Sequence, residues 1–200
     1  MPALAVGMLA RFLAQFLRLR PNVRPAITGV PSYHVIDAVS SGQADLGYAN
    51  SPTAPPGLET NRIEVPAVVV LPLHHELARQ DVIAPQDLAG ERLVGLLAGT
   101  LFRSQIDVAL AGFGCDVFIE TQLSHIACLL VSEGAGICIV DPYAALEFEM
   151  RGLAIRRFSP GLDAGFVCIR SERQPASLLA TSFAEEFGVH IRTLMAPFRE

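Results

Sequence analysis

The sequence predicts an α/β fold, because segments with the patterns of strands and of helices alternate along nearly all of its 200 residues. Continuous apolar runs such as residues 65–73 are typical of strands that are buried on both faces. Elsewhere apolar residues recur at helical spacing, as Leu9, Phe12 and Leu13 do. An apolar fraction of 51% and a charged fraction of 18% exclude a disordered chain. The alternation favours a sheet or sheets with mostly parallel strands.

Short apolar runs mark the strands, and amphipathic spacing bounded by Ser, Thr, Pro or Gly marks the helices. We predict strands at residues 23–29, 45–49, 65–73, 93–97, 116–120, 137–140, 153–158 and 165–170. We predict helices before Pro21, after a cap at Ser32, after a cap at Thr100, after a cap at Thr121 or Ser124, from Pro142 to Met150 and from Pro175 onward. A helical turn is expected at residues 85–88 and a proline-rich loop at residues 50–57.

The charge and the cysteine usage restrict the environment and the partners of the chain. The net charge is −5, and all 15 basic residues are Arg without a basic run, so the chain is a poor direct ligand for nucleic acid. The four cysteines lie in apolar stretches without a CxxC pair, which predicts reduced thiols in a cytoplasmic protein. No apolar run approaches the ~20 residues of a membrane-spanning helix, and we expect no membrane contact.

The sequence contains no spacing of His, Cys, Asp or Glu that strongly predicts a catalytic or metal site. His125 and Cys128 are three residues apart on a predicted helix, so an imidazole–thiolate pair is conceivable. Cys128 lies on the apolar side of that helix, however, and we predict a core residue. His74 and His75 are adjacent and point apart, which disfavours a shared metal ion. We therefore predict no catalytic residue, no metal site and no cofactor.

Polar residues instead gather where predicted strands end or predicted helices begin. These residues are Ser32, Asn50, Thr100, Thr121, Gln122, Ser124 and Asp141. Open α/β sheets bind ligands beyond the carboxyl ends of their strands, and helix N-termini offer free N–H groups to anions. Ordinary helix capping explains any one of these residues equally well. The seven together favour a site for a small polar ligand.

The order of six segments resembles the effector-binding domain of LysR-type transcriptional regulators. The segments are FLAQFLRLRPNVRPAI, SSGQADLGYA, VVVLPLHHELA, IAPQDLAGERLVGL, LVSEGAGICIVDPYAA and SLLATSFAEEF. The resemblance implies a fold of the type 2 periplasmic-binding-protein kind, with two Rossmann-like subdomains joined by two crossover strands. It places residues 1–70 and 171–200 in one subdomain and residues 71–170 in the other. It also implies a small-molecule effector bound in the cleft between them.

The resemblance assigns ligand-binding positions to the same polar residues. Ser32 matches the loop after the second strand of the family, and Asn50 matches the polar residue after the next strand. Thr100 opens the first helix of the second subdomain. The remaining matches are Thr121 and Gln122, the polar pair after the "IET" strand, and Asp141 with Pro142 after the GAGICIVD stretch; Ser124 is a ligand-binding candidate through its place at a predicted helix start.

The sequence departs from the family pattern at two places. The usual HPLA appears as HELA, and the family's winged helix-turn-helix, its linker helix and the first strand of the effector domain are absent. The resemblance therefore implies contact with DNA only through the absent amino-terminal part. It also implies a homodimer or homotetramer. Leu4, Leu17 and Leu19 are candidates for that interface, or alternatively form a broad core face.

The segment ETQLSHIACLLVSEGAGICIVDPYAA resembles the branch of the family that responds to opines and basic amino acids. Asp141 would then meet a cationic amine or guanidinium, and the helix starts at Ser32 and Thr100 would meet a carboxylate. One alternative is a solute-binding protein of a transport system that lacks its signal peptide. A second is an enzyme on a related two-lobed fold, which would need a convergent acid, base or nucleophile.

Overall fold

A computed structural model describes residues 1–50, 56–173 and 177–199. The helices are α1 (Pro2–Val6), α2 (Met8–Arg18), α3 (Ser32–Ser40), α4 (Leu101–Leu110), α5 (Ser124–Ser132), α6 (Pro142–Ala145) and α7 (Leu178–Met195). The strands are β1 (Gly47–Ala49), β2 (Leu58–Ile63), β3 (Val68–Pro72), β4 (Val82–Ile83), β5 (Arg92–Leu96), β6 (Asp116–Thr121), β7 (Cys138–Val140), β8 (Leu153–Phe158) and β9 (Phe166–Ser171). Single turns of 3-10 helix lie at Glu76–Arg79, Pro85–Leu88, Glu149–Arg151 and Ala196–Phe198.

The chain divides into two compact units. The first contains Met1–Glu64 and Gly165–Ala196, and the second contains Val65–Ala164 together with the last residues from Pro197. The chain thus passes between the units at residues 64/65, 164/165 and 196/197, whereas the resemblance placed the subdomain boundaries at 70/71 and 170/171.

The first unit is built on an antiparallel sheet in the order β1-β9-β2. One face packs on α3 through Val35 and Val39. Gly47 permits this close packing, because a Cβ at that position would lie 2.5 Å from Val35 Cγ1 and 2.9 Å from Val39 Cγ2. An aromatic cluster joins the sheet to α2 and α7; its rings are Phe12, Phe16, Tyr48, Phe166, Phe183 and Phe187.

The second unit is built on a sheet in the order β4-β8-β3-β7, next to the parallel pair β5-β6. A bridge between Leu93 and Ile137 connects β5 to the chain just before β7. Gly136 makes this contact possible, because a Cβ there would lie 2.0 Å from the Arg92 carbonyl oxygen. β3 is buried on both faces, with Val69 and Leu71 in one apolar cluster and Val68 and Val70 in another. Both faces of the sheet therefore carry a core.

Two sheet predictions are wrong. Among the described strands only the pairs β4–β8 and β5–β6 are parallel, because β3 and β9 run antiparallel to their neighbours. Residues 23–29 form no strand, since no other strand lies beside them to accept and donate hydrogen bonds. The sequence also missed β2, whose burial is concentrated at its two ends, Leu58 and Ile63.

The helix predictions need smaller corrections. The helix predicted from Pro142 to Met150 ends at Ala145 and continues as turns, because the chain leaves α6 through short i to i+3 bonds such as Phe148 N–H to the Ala145 carbonyl. The predicted start of the last helix at Pro175 lies outside the described residues; within them, the Ser177 side chain caps α7. Leu4 is fully buried and is a core residue, whereas Leu19 is 84% exposed. None of the described helices is both long and apolar enough to cross a bilayer.

Candidate functional site

Ser32 and Asn50 are brought together in the first unit. The prediction that Ser32 caps its helix is wrong, because Pro31 occupies the cap position and Ser32 is the first residue of α3. The Ser32 hydroxyl oxygen instead accepts a hydrogen bond of 2.9 Å from the N–H of Asn50, directly after β1. Within the described residues the N–H groups of Tyr33 and His34 have no acceptor. This helix start therefore has free donors for an anionic group.

Thr100 caps α4 in the second unit, as predicted. Its Oγ1 accepts a hydrogen bond of 3.1 Å from the N–H of Arg103, and its carbonyl accepts from Ser104. The residue is exposed at the end of the segment that follows β5. A capping hydroxyl at this place orders the first turn of the helix.

Arg103 is a polar residue of the site that the sequence reasoning missed. It is 8% exposed, and its guanidinium contacts Asp107 Oδ1 and Glu120 Oε1 at 2.7 Å each, as well as the Leu96 carbonyl. Burial disfavours the charged form, but the hydrogen bonds with both carboxylates outweigh it and raise the pKa of Arg103. The cluster ties α4 to the ends of β5 and β6. The spacing of Arg103 and Asp107, i to i+4, was the available signal.

Thr121 and Gln122 differ in their exposure although they are adjacent. Thr121 is 7% exposed at the end of β6, and its carbonyl accepts a hydrogen bond of 2.8 Å from the N–H of Leu97. Gln122 is exposed. The amide of Gln122 is therefore the member of this pair that is open to a ligand, whereas Thr121 holds the segment after β5 in place.

Ser124 and Asp141 form the most buried polar contact of the second unit. Neither Thr121 nor Ser124 caps α5: the cap position is Leu123, and Ser124 is the first helical residue. The Ser124 hydroxyl donates a hydrogen bond of 2.5 Å to Asp141 Oδ2, while Asp141 Oδ1 accepts 2.9 Å from the N–H of Ala144. Asp141 thus caps α6, and Pro142 occupies the first helical position, where a missing N–H is harmless.

The environment of Asp141 acts on its ionisation in both directions. The side chain is 4% exposed, and burial raises the pKa of this carboxyl. The hydrogen bonds from the Ser124 hydroxyl and from the N–H groups of Ala144 and of Asp141 itself, together with the neighbouring His125, partly offset this effect. A carboxylate has about four acceptor positions, and these three hydrogen bonds do not use all of them. Asp141 therefore retains capacity for a cationic donor.

His125 and Cys128 do not form a pair. Cys128 is fully buried and hydrogen-bonds to Cys138, and burial raises the pKa of the Cys138 thiol. His125 instead lies with Nε2 3.6 Å from Glu147 Oε2 and its ring edge against Phe148. All four cysteines are free. Within the part of the chain that the structure covers, no group of three or more His, Cys, Asp or Glu side chains has metal-binding geometry.

The sheet arrangement of the second unit gathers its polar residues at one edge. β5 and β6 are parallel, and the bridge from Leu93 to Ile137 is parallel as well, so the carboxyl ends of β5, β6 and β7 share an edge. Thr100, Gln122 and Asp141 follow these strand ends. Such an edge is where open α/β sheets bind ligands. Ser32 and Asn50 make the corresponding strand-end contact of the first unit, and the prediction of a shared ligand cleft stays a prediction.

Comparison with known proteins identifies close relatives among regulators. The octopine catabolism/uptake operon regulatory protein OccR of Rhizobium meliloti is 44% identical over 196 residues, which are 98% of this chain and 65% of that protein. The regulatory protein NocR of Agrobacterium tumefaciens is 33% identical over 182 residues, covering 90% of this chain and 61% of that protein. The chain thus spans less than two thirds of the length of these relatives.

Solved structures agree on the fold. The effector-binding domain of BenM with its effector benzoate has a TM-score of 0.72 at 17% identity and covers 98% of this chain and 90% of that one. The reduced OxyR regulatory domain from Pseudomonas aeruginosa has a TM-score of 0.77 at 17% identity, with coverages of 94% and 93%. This likeness confirms the predicted α/β fold of the type 2 periplasmic-binding-protein kind. The model of the LysR substrate binding domain matches residues 1–190, and the chain belongs to that family.

Proposed function

We propose that this chain is the ligand-sensing part of a transcriptional regulator and that it binds a small metabolite with both anionic and cationic groups. The observation that carries the proposal is the 44% identity to an operon regulatory protein over 98% of the chain. It favours regulation over the solute-binding alternative. The one catalytic pair that the sequence offered is not formed, since the structure leaves His125 without a hydrogen bond to Cys128 and buries Cys128 fully.

The ligand-binding residues that we propose are those at the strand ends. In the first unit, Ser32 and Asn50 stand beside the free N–H groups of α3, which suit a carboxylate. In the second unit the residues are Thr100, Thr121, Gln122, Ser124, Asp141 and Pro142. There the buried carboxylate of Asp141 suits an amine or guanidinium.

An opine is the effector class that this chemistry favours. Opines join an amino acid to a keto acid and therefore carry carboxylates together with amine or guanidinium groups. The name of the 44% identical relative refers to octopine catabolism and uptake. Basic amino acids share the cationic group and are the second class to be tested.

The regulatory step would be a population shift. An effector that binds one conformation more tightly moves the equilibrium toward it, by no more than its difference in affinity. The chain itself carries a net charge of −5. DNA contact would therefore belong to another part of a longer regulator, which we expect to act as a homodimer or homotetramer.

A thermal-shift screen tests the proposal. The chain is melted with octopine, arginine, lysine, diaminopimelate and benzoate, each over a concentration series. A true effector at 100 times its dissociation constant should add about 2.7 kcal/mol to the free energy of unfolding. We expect a cationic amino-acid derivative to raise the melting temperature and benzoate to leave it unchanged.

Matched variants locate the binding. Ser124→Ala should reduce the shift, because it removes the hydrogen bond that orients Asp141. Ser132→Ala on the same helix is the control, since its hydroxyl only bonds the Leu129 carbonyl one turn away. A flat response to every charged compound, or an equal response of both variants, would contradict the proposed site.

A further inference from the structure

The segment of residues 97–100, which joins β5 to α4, has few contacts of its own. All four residues are exposed. The N–H of Leu97 donates a hydrogen bond of 2.8 Å to the carbonyl of Thr121, whereas Ala98 and Gly99 form no backbone hydrogen bond within the described part of the chain. The segment ends at Thr100, one of the ligand-binding residues proposed above. Its position therefore depends on contacts at its two ends.

Both ends of this segment are bound by the same residue, Arg103. At the start, the guanidinium of Arg103 donates to the carbonyl of Leu96, the last residue of β5. At the end, the N–H of Arg103 donates to Thr100 Oγ1 at 3.1 Å. Helical side chains point back toward the N-terminus of their helix, so a residue in the first turn of α4 can reach the strand that precedes it. The backbone and the side chain of Arg103 thus close the segment into a loop.

A third contact of Arg103 connects this loop to β6. Nη1 of Arg103 lies 2.7 Å from Glu120 Oε1, and Glu120 directly precedes Thr121 and Gln122. Glu120 is the register partner of Gly95 on β5. A Cβ at Gly95 would lie 3.2 Å from Nη1 of Arg103. The missing side chain at Gly95 therefore leaves the space that the guanidinium occupies over the strand ends.

Asp107 contacts the same guanidinium without joining separate segments. Its Oδ1 lies 2.7 Å from Nε of Arg103, the same distance as the contact with Glu120. The two carboxylates are also similarly exposed, at 50% and 43%. The two ion pairs should therefore contribute similarly to the stability of the unit. They differ in what they connect, because Asp107 lies one turn along α4 and Glu120 lies on β6.

We propose that Arg103 is a positioning residue of the effector site, which holds Thr100 in a fixed place relative to Gln122 without contacting the ligand itself. Arg103 is 8% exposed, whereas Thr100 and Gln122 are both exposed. The ion pair with Glu120 carries the restraint from α4 to β6, next to Gln122. Groups that are already in place cost less to order when a ligand binds. The inference rests on the proposed function, because it concerns the same ligand-binding residues.

The experiment compares Glu120→Gln with Asp107→Asn. Each substitution keeps the size of the side chain and removes one negative charge from beside the guanidinium. Arg103→Gln is the third variant and removes the guanidinium itself. Urea denaturation measures the free energy of unfolding of each variant, and isothermal titration measures its affinity for octopine. Backbone hydrogen exchange, followed by NMR, measures the opening of the loop at the N–H of Leu97.

We expect the two carboxylates to differ in these measurements although their variants lose similar stability. Glu120→Gln and Arg103→Gln should speed exchange at Leu97 about fivefold or more, and Asp107→Asn less than about twofold, because only the first two free the loop from β6. Glu120→Gln and Arg103→Gln should also weaken octopine binding about tenfold, as the loss of a supporting contact around a bound group commonly does. Asp107→Asn should keep the affinity within about twofold of the parent chain. A purely structural ion pair would not separate affinity from stability in this way.

The proposal is overturned by either of two results. Equal effects of Glu120→Gln and Asp107→Asn on exchange at Leu97 would show that the cluster only stabilises the unit. An unchanged affinity of Arg103→Gln for octopine, where the parent chain binds octopine, would show that the position of the loop does not matter to the ligand. If the parent chain does not bind octopine, the proposed effector class is wrong. The exchange rates then decide separately: faster exchange in Glu120→Gln than in Asp107→Asn supports the positioning role, and equal exchange overturns it.

Discussion

Asp141→Asn separates the charge of Asp141 from its structural role. The carboxylate accepts hydrogen bonds of 2.5 Å from the Ser124 hydroxyl and 2.9 Å from the N–H of Ala144. Asparagine keeps an oxygen for Ala144 and offers an N–H to the Ser124 hydroxyl, which can rotate to accept it. The substitution therefore conserves both contacts and the side-chain volume, and removes one negative charge.

The expected loss of ligand affinity follows from the burial of this charge. At an effective dielectric constant of about 20, a cation about 4 Å from a carboxylate gains about 4 kcal/mol. Asparagine retains part of this through its amide oxygen, so we expect a loss of about 2–3 kcal/mol, roughly 30- to 150-fold in the dissociation constant. The effect should be confined to ligands that carry an amine or guanidinium.

The same substitution should raise the stability of the fold at neutral pH, although it lowers the affinity for the ligand. Burial raises the pKa of Asp141, so between the usual pKa of about 3.9 and the raised value the folded state binds more protons than the unfolded state. The free energy of unfolding therefore falls as the pH rises through that window and stays lower above it. Asp141→Asn should remove this fall and should be more stable than the parent chain at neutral pH.

Isothermal titration with octopine and arginine measures the first effect, and thermal melts between pH 3 and pH 8 measure the second. Ser132→Ala again serves as the control, because it lies on α5 and touches neither Asp141 nor Ala144. If every cationic compound binds Asp141→Asn as tightly as the parent chain, Asp141 contacts no cation and serves only to cap α6. A variant that is less stable at neutral pH would refute the argument from burial.

Three further substitutions test the packing and the contacts around the strand ends. Gly47→Ala should lower the free energy of unfolding of the first unit by about 1–3 kcal/mol in chemical denaturation, because the new Cβ would lie 2.5 Å from Val35 Cγ1. An unchanged denaturation midpoint would mean that α3 moves away from the sheet without cost. Ser32→Ala should reduce the free energy of unfolding by only about 0.5–1.5 kcal/mol, through loss of the hydrogen bond from Asn50. It should weaken the binding of a ligand with a carboxylate more than the binding of the corresponding amide. Equal losses of affinity for both would contradict an anion site at the start of α3. Arg103→Met should lower the melting temperature at low salt, and by less at 1 M salt, because dissolved ions screen the half-exposed carboxylates of Asp107 and Glu120. A decrease that does not depend on salt would mean that Arg103 stabilises the unit through packing and not through its charge.

Local patterns in the sequence were sufficient to predict features that depend only on residues close by along the chain. The capping of α4 by Thr100 follows from a Thr before an amphipathic run, and the structure shows it. The strand predicted at residues 23–29 fails for the converse reason, because its hydrogen bonds would need a neighbour that periodicity does not report. β2 escaped prediction, since its middle residues are polar and exposed or half-buried while Leu58 and Ile63 alone are buried.

The candidate site shows the same division between local and distant contacts. Ser124 and Asp141 were both identified from the sequence, but as separate helix starts. Their hydrogen bond joins residues that are 17 positions apart, and no spacing rule predicts it. Arg103 was missed because a charged residue on a helix normally faces water, whereas here β5 and β6 provide an acceptor carbonyl and a carboxylate around it.

The two units contain the same local arrangement of a helix, a strand and a hydrogen bond, but the residue after the strand differs in charge. In each unit a nine-residue helix begins with a serine, a three-residue buried strand follows, and the serine hydroxyl bonds the residue directly after that strand. In the second unit that residue is Asp141, whose carboxylate lies at the start of α5 and itself satisfies the preference of the helix for an anion. In the first unit it is the uncharged Asn50, which brings no carboxylate to the start of α3. We therefore expect the arrangement in the first unit to favour a ligand carboxylate and the arrangement in the second unit to favour a ligand cation. For this reason we expect an effector that carries both groups.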